Sequence, residues 1–469
     1  MDTSSQGKPA ARGFYKLSAF ARIGFGAGDL AQNLIYQTVA TYLLFFYTNV
    51  FGISPVAAAF MFGVVRVVDV LWDPFVGAFV DKHNPKLGKY RAYLILGGIP
   101  LSGLMILSFW NGFSGQLWYA YITYVTLSLC YTLINVPYGA LNASLTRDTD
   151  EITKLTSTRM FMANMGGLAV QFGVPALIQH FAPNNDWSKP AASGAWFAVM
   201  SVYALVGFVL LVYCFTQTKE RVVMDESMGH TVSYSDLFTE FVRNRPLRIL
   251  AFFFITAFAM MAVGNSASAY YMQYNVGHAE ALKWFNALGS LPAFIFMPLV
   301  PAIKRTIGKK RMFYVFLTVA IIGMAMLYVI STVPALKAQL WLIYVAQFVK
   351  STGVIVATGY MWALVPEVIS FGEWKTGKRI AGVVNALTGI FFKAGFALGG
   401  IAPGLILWLT SFDAKAAEQT ALAQQGILWL VVVIPAILLG LAMFIISKYE
   451  LEDDKIDEIN REIEARHRS

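Results

Sequence analysis

Long apolar runs separated by short polar breaks dominate this chain. A helix needs about 20 predominantly apolar residues to cross a hydrocarbon core. Taken in order, the breaks predict spans near residues 20–50, 54–82, 92–111, 117–146, 155–182 and 193–217, then 246–275, 280–303, 312–333, 338–366, 380–411 and 424–448. Several exceed the bilayer minimum, as tilted or protruding helices do. The expectation is an all-α membrane protein with twelve transmembrane helices. The stretch 218–245 is the longest hydrophilic interruption before the tail and separates six spans from six, the layout of two six-helix bundles built from repeats. The expected organisation is therefore a tail at 1–19, bundles at 20–217 and 246–448 joined by a linker at 218–245, and a charged tail at 449–469.

Composition agrees. Of 469 residues 57% are hydrophobic and 13% charged, against roughly 25% charged in a soluble domain, which leaves no room for a sizeable soluble domain. Residues Met1 to Lys16 lack an apolar core, so no cleavable signal peptide is expected.

The net charge of +9 invites a nucleic-acid partner, but the basic residues sit in short loops beside apolar spans. One set of alternate loops holds Lys82, Lys86, Lys89 and Arg91, then Lys219, Arg221, Arg243 and Arg245, then Lys304, Arg305, Lys309, Lys310 and Arg311, then Lys375, Lys378 and Arg379, while the other holds only Lys189, Lys337 and Lys415. That asymmetry predicts both termini and the linker in the cytoplasm of a cell-membrane protein, with the bilayer and no nucleic acid as partner. Asp81 to Arg91 and Lys304 to Arg311 occupy matching places in the two halves, each with a Gly between basic residues, a weak internal repeat. Cys130, Cys214 and five scattered histidines show no ligand spacing, so neither a disulfide nor a metal centre is expected. The tail from Tyr449 carries both signs of charge with Leu451, Ile456, Ile459 and Ile463 at helical spacing, and reads as a solvated helix.

A charge near the bilayer centre costs about 2.5–3.5 kcal/mol, so charges inside spans are functional candidates. In Arg66-Val-Val-Asp69-Val-Leu-Trp-Asp73-Pro74 the two aspartates lie a turn apart on one face. They could share a proton, ligate a small cation, or form a structural ion pair with Arg66. Asp29 lies in Gly24-Phe-Gly-Ala-Gly-Asp, with Tyr36 two turns on; a carboxylate for hydroxyls and a ring face for C–H groups suit a glycoside. Asn135 precedes Pro137, with Thr132 a turn away, and the two could equally stitch helices together. Arg159 opens the fifth span. Lys393 is too deep in its span to snorkel out and needs a carboxylate or a substrate as partner, whereas Lys350 is expected to face a polar region away from substrate.

Gly-x-Gly-Asp29, Phe46-Tyr-Thr-Asn49, Arg66-x-x-Asp69-x-x-x-Asp73-Pro74, Gly88-Lys89-Tyr-Arg91, Asn135-Val-Pro-Tyr138 and Phe371-Gly-Glu373-Trp recur together in one known group. From about residue 20 to about 450 the chain resembles the glycoside-pentoside-hexuronide:cation symporters, which include the melibiose carrier and bacterial glucuronide and xyloside carriers. The resemblance implies the major facilitator fold, a monomer or weak oligomer, no cofactor beyond a co-transported H+ or Na+, and sugar transport by alternating access. It further implies that Asp29, Arg159 and Lys393 bind sugar, with Tyr36 and Thr388 lining the site, and that Asp69, Asp73 and Thr132 hold the cation.

Two departures refine this. Asn135 and Gly139 stand where the melibiose carrier has an aspartate and a tryptophan, which points away from melibiose and toward glucuronide- or xyloside-type substrates. Trp72 stands where sodium-using members have an amide, which favours a proton. Glu367 and Glu373 with Lys375, Lys378 and Arg379 are expected to form gating salt bridges between the bundles. The competing expectation is a lysolipid transporter or scramblase of the same fold. No nucleophile or metal-ligand constellation suggests an enzyme.

Overall fold

A computed structural model of the chain describes residues 16–468 apart from 84, 147–148, 183–185, 221–233, 377–380 and 417. Its first half comprises α1 (19–51), α2 (Pro55–Lys82), α3 (Ala92–Ser108), α4 (Leu117–Leu145), α5 (Thr149–Phe181) and α6 (Ser193–Gln217). A short helix α7 (Tyr234–Arg243) leads into the second half: α8 (Arg245–Val276), α9 (Ala279–Ile307), α10 (Lys309–Thr332), α11 (Leu340–Met361), α12 (Leu364–Thr376), α13 (Ala381–Leu409) and α14 (Ala421–Ser447). A tail helix, α15 (Asp453–Arg468), follows.

Among the described residues none is in a strand, and ten helical segments are long and apolar enough to cross a membrane. The shorter apolar α3 and the mixed α/π helix α1 complete twelve crossings. α11 and α12 form one crossing with a break at Trp362 and Ala363.

Local chemistry explains the boundaries. Ser18 accepts the Ala21 N–H at 3.1 Å, and Ser54 caps α2 with Pro55 at its first turn. The first helix of each half ends alike: Phe46–Phe51 and Tyr271–Val276 both widen into π turns and stop at a glycine of positive φ, Gly52 at 92° and Gly277 at 79°. Left-handed backbone is inexpensive only for glycine. Asn-Val-Phe-Gly52 and Asn-Val-Gly277 thus form a second sequence repeat, at the opposite end from the basic loops.

The halves meet along few surfaces: α2 against α13, α5 against α9, and residues 39–43 of α1 against α8. At Gly404 of α13 a Cβ would fall 2.5 Å from Ala59 Cβ of α2, so this crossing needs a residue with no side chain. Polar links between the halves gather at the π-turn end. Thr48 bonds the Tyr270 hydroxyl at 2.6 Å, Asn49 bonds Tyr274, Asn286 donates to the Tyr42 hydroxyl at 3.0 Å, and Trp187 donates to Gln273 at 2.7 Å. At the same end Gln273 also donates to the Asp186 carboxylate at 3.3 Å and Lys189 to the Ala414 carbonyl at 3.1 Å.

The tail differs from the solvated helix expected. Leu451 and Ile459 are buried and Ile456 and Ile463 pack on the core, while Trp374 donates to Glu462 at 2.6 Å and Arg466 to the Trp374 carbonyl at 2.7 Å. Ile456, Ile459 and Ile463 form one face of α15, with Leu451 just ahead of the helix, and α12 supplies the surface that covers it.

Candidate functional site

Between the halves lies a cavity of about 460 Å³. Its first-half wall is polar, drawn from α1, α2 and α4, whereas α8 and α13 contribute Phe258, Met261, Phe392 and Phe396 with a single charge, Lys393. Of the residues singled out from sequence, Tyr36, Asp69, Asp73, Thr132, Asn135 and Lys393 line it.

The two α2 aspartates have different partners. Arg66 reaches Asp69 at 3.1 Å and the Tyr124 hydroxyl at 3.4 Å, and the Ser128 hydroxyl donates to Asp69 at very short range. Asp73 turns the other way and makes a direct ion pair with Lys393 across the gap between halves. The second oxygen of Asp73, Oδ1, is buried without a hydrogen-bond partner. A buried carboxylate oxygen left in that state is a place where a proton or cation lowers the energy. Thr132 is buried in the same wall, whereas Trp72 donates its N–H to the Leu129 carbonyl at 3.3 Å and lies outside the cavity lining.

A second ion pair sits one turn from the cavity. Arg159 grips Asp29 with both ends, Nε to Oδ2 at 2.6 Å and a terminal nitrogen to Oδ1 at 3.2 Å. Its guanidinium lies about 5 Å from the ring centres of Phe25 and Tyr138, and the Tyr138 hydroxyl is 2.7 Å from Asp29 Oδ2. Stacking and two-point contact are what guanidinium geometry provides and an ammonium does not. Asn33, which lines the cavity, donates to the Asp29 carbonyl at 2.9 Å. Tyr36 packs against Tyr131 and edge-on to Phe396, with centroids at 5.6 and 5.8 Å, and so joins the two halves at the cavity.

Other candidates lie elsewhere. Thr388 is buried in α13 with its hydroxyl on the Val384 carbonyl at 2.8 Å and does not line the cavity. Lys350 is also outside it, with Nζ 5.7 Å from the Phe285 ring centre.

Of the expected gate residues, Glu367, Glu373 and Lys375 stand on α12. Glu367 pairs with Lys309 at 2.8 Å and accepts from Tyr449 at 3.1 Å, and Lys375 donates to the Arg243 carbonyl at 3.2 Å, all in the linker or second half. Glu373 is buried in α12, and Lys378 and Arg379 lie outside the described residues. α12 packs on α13, α15 and α8.

Sequence reasoning passed over Gln32, Tyr124, Ser128 and Tyr131. The signal was present: Tyr124, Ser128, Thr132 and Asn135 recur at helical spacing along a largely apolar span, so they mark one polar face.

The sequence profile of MFS/sugar transport proteins matches residues 24–453. The chain belongs to this family. Members of the MFS/sugar transport protein family are transporters, so this chain is a multi-pass membrane transporter and not an enzyme. It is 44% identical over 454 residues to an uncharacterized symporter of Bacillus subtilis (strain 168), with 96% of each chain covered. It is 31% identical to a glucuronide carrier protein homolog of Escherichia coli (strain K12), with 95% of each covered. To an isoprimeverose transporter of Lactiplantibacillus pentosus it is 29% identical, with 95% of this chain and 91% of that one covered. Among solved structures, a bacterial homolog of the human lysosomal transporter Spinster, inward-facing and unoccupied, superposes with TM-score 0.67 at 14% identity, covering 93% of this chain and 100% of that one. That likeness shows the major facilitator fold alone.

Proposed function

We propose that this chain is a glycoside:cation symporter of the cell membrane, taking a pentoside or hexuronide together with a proton by alternating access. The observation that carries the reading is the Asp73–Lys393 pair, which bridges the halves inside a sugar-sized cavity and leaves one carboxylate oxygen without a partner. The volume of about 460 Å³ falls within the roughly 300–1,000 Å³ of small-molecule sites.

The relatives' names, symporter, glucuronide carrier homolog and isoprimeverose transporter, support a sugar and a cation as cargo. The charge bias of the loops supports cytoplasmic termini, which makes the closed π-turn end the outer one and this conformation inward-facing.

In this scheme a proton on Asp73 neutralises the carboxylate and loosens its hold on Lys393, while Asp69 keeps its contacts with Arg66 and Ser128. Sugar stacks on Tyr36, meets Asn135, and exchanges hydroxyls into the Asp29–Arg159 pair one turn away. Both ligands then bias the same opening and closing of the halves, which is coupling in the thermodynamic sense. One proton descending 100 mV releases about 2.3 kcal/mol, enough for roughly 50-fold accumulation. Trp72 offers no oxygen to a sodium ion, which supports the proton. The polar, ion-paired cavity wall also favours sugar over a lysolipid.

The test is uptake of p-nitrophenyl xyloside, galactoside and glucuronide into proteoliposomes under a pH gradient or a sodium gradient imposed separately. Accumulation driven by the pH gradient alone supports the proposal. Accumulation driven by sodium alone refutes the proton, and no uptake under either gradient refutes the glycoside.

A further inference from the structure

Gln32 sits between Asp29 and Tyr36 on α1 and does not line the cavity; it is only 3% exposed. Its side chain nevertheless determines what the cavity presents. Gln32 Nε2 donates to the Gly28 carbonyl at 3.3 Å. A backbone carbonyl only accepts, so this contact settles which end of the Gln32 amide is nitrogen. The other end, Oε1, then faces Asn135 and can only accept, which obliges Asn135 to turn its own nitrogen inward, at 3.0 Å. The second hydrogen on that nitrogen points to the Tyr131 hydroxyl at 3.4 Å.

With both N–H groups of Asn135 committed, the polar atom it has left for the cavity it lines is Oδ1, an acceptor. An unrestrained asparagine could turn over to meet either a donor or an acceptor. This one is held in a single polarity by a relay that begins at a backbone carbonyl.

We propose that Gln32 is a positioning residue that fixes the polarity of Asn135, and thereby selects glycosides that bring a hydroxyl, rather than a carboxylate or sulfonate, to the α4 wall. The proposal rests on the glycoside reading of the cavity and narrows its substrate class to neutral sugars at this contact. A hydroxyl donates to Oδ1, whereas an ionised acid group would set two acceptors against each other and leave both unsatisfied. Once the halves close over the sugar and exclude water from Asn135, a mismatch of that kind costs about 10-fold or more in affinity.

The experiment uses the full-length protein in proteoliposomes with p-nitrophenyl β-D-xyloside, β-D-glucoside and β-D-glucuronide as probes. The wild type is expected to take the neutral glycosides with at least about 10-fold higher kcat/KM than the glucuronide. Gln32→Met keeps length and apolarity but releases Asn135. It should raise KM for the neutral probes about 5- to 10-fold with kcat little changed, and shrink the preference over glucuronide. In an Asn135→Ala background the same substitution should change KM less than about twofold, because Gln32 acts through Asn135.

Independent, additive losses in the double variant would reduce Gln32 to a packing role and overturn the proposal. A wild type that prefers the glucuronide overturns it with no variant needed, which covers a Gln32→Met protein that fails to fold. A wild type that moves none of the three probes removes the glycoside reading itself, a result separate from glycoside uptake with the wrong selectivity.

Discussion

Replacing Asp73 with asparagine leaves the Lys393 ammonium facing a neutral amide. The side chains of the pair are 28% and 30% exposed, between a sealed interior and open water. Breaking a fully buried pair by removing one partner costs about 3–5 kcal/mol, and an exposed pair is worth about 0–1 kcal/mol. The intermediate exposure places Asp73→Asn near 2 kcal/mol, or about 30-fold in an equilibrium. Lys393→Gln strands the Asp73 carboxylate in the same way and should cost a similar amount. The double variant Asp73→Asn with Lys393→Gln removes both charges and should recover most of the loss, a coupling of about 1–2 kcal/mol in a double-mutant cycle. The assay is denaturant unfolding of purified protein in detergent at neutral pH, with all four proteins compared. Costs that simply add in the double variant would refute the pairing on which the transport scheme depends.

Other consequences follow from the same geometry. Arg159→Lys should raise KM about 10-fold in glycoside uptake, since an ammonium cannot reproduce the two-point contact with Asp29 or the stacking on Phe25 and Tyr138. Tyr36→Phe should retain most uptake and Tyr36→Ala lose most of it, because the ring face is the feature the sugar uses. Ile459→Ala, at a buried position of α15, should destabilise the protein by about 2–4 kcal/mol on thermal or chemical unfolding, whereas a solvated tail would show no change.

Near the membrane surface, the hydrogen bond from Lys154 holds the Glu151 carboxyl below its ordinary 4.5, helped by the Leu17 N–H. The stabilisation is present above pH 4.5 and lost as pH falls through the lowered value, so the acid limb of an unfolding curve should flatten in Glu151→Gln.

The fold was largely legible because the bilayer admits few solutions: apolar runs of sufficient length had to be spans, and basic loops had to alternate. The ends were less so. α5 begins at Thr149, ahead of the apolar run that marks it, and the tenth crossing carries an irregular pair at Trp362 and Ala363, where Pro366 has no N–H to give the Trp362 carbonyl. The tail's charge suggested solvent, yet Leu451 and three isoleucines on one face of α15 sufficed to dock it once α12 offered a surface.

At the site, charges inside spans were conspicuous for their desolvation cost, which is why Asp29, Asp69, Asp73, Arg159 and Lys393 stood out. Their pairing was not legible. Arg66 lies within reach of both aspartates by helical spacing, and only the crossing of α2 with α13 gives Asp73 to Lys393. Gln32 was invisible for the opposite reason: a neutral amide in an apolar run carries little penalty, and its effect depends on Asn135, a residue of another helix.

The central claim, that one proton enters at Asp73 with each sugar, is tested most directly by recording pH when glycoside is added to lightly buffered, de-energised cells or vesicles carrying the protein. The account predicts transient alkalinisation of the medium with the wild type, and none with Asp73→Asn even where sugar exchange across the membrane persists. Alkalinisation that survives in Asp73→Asn would place the proton elsewhere, and sugar entry without any pH change in the wild type would contradict proton coupling outright.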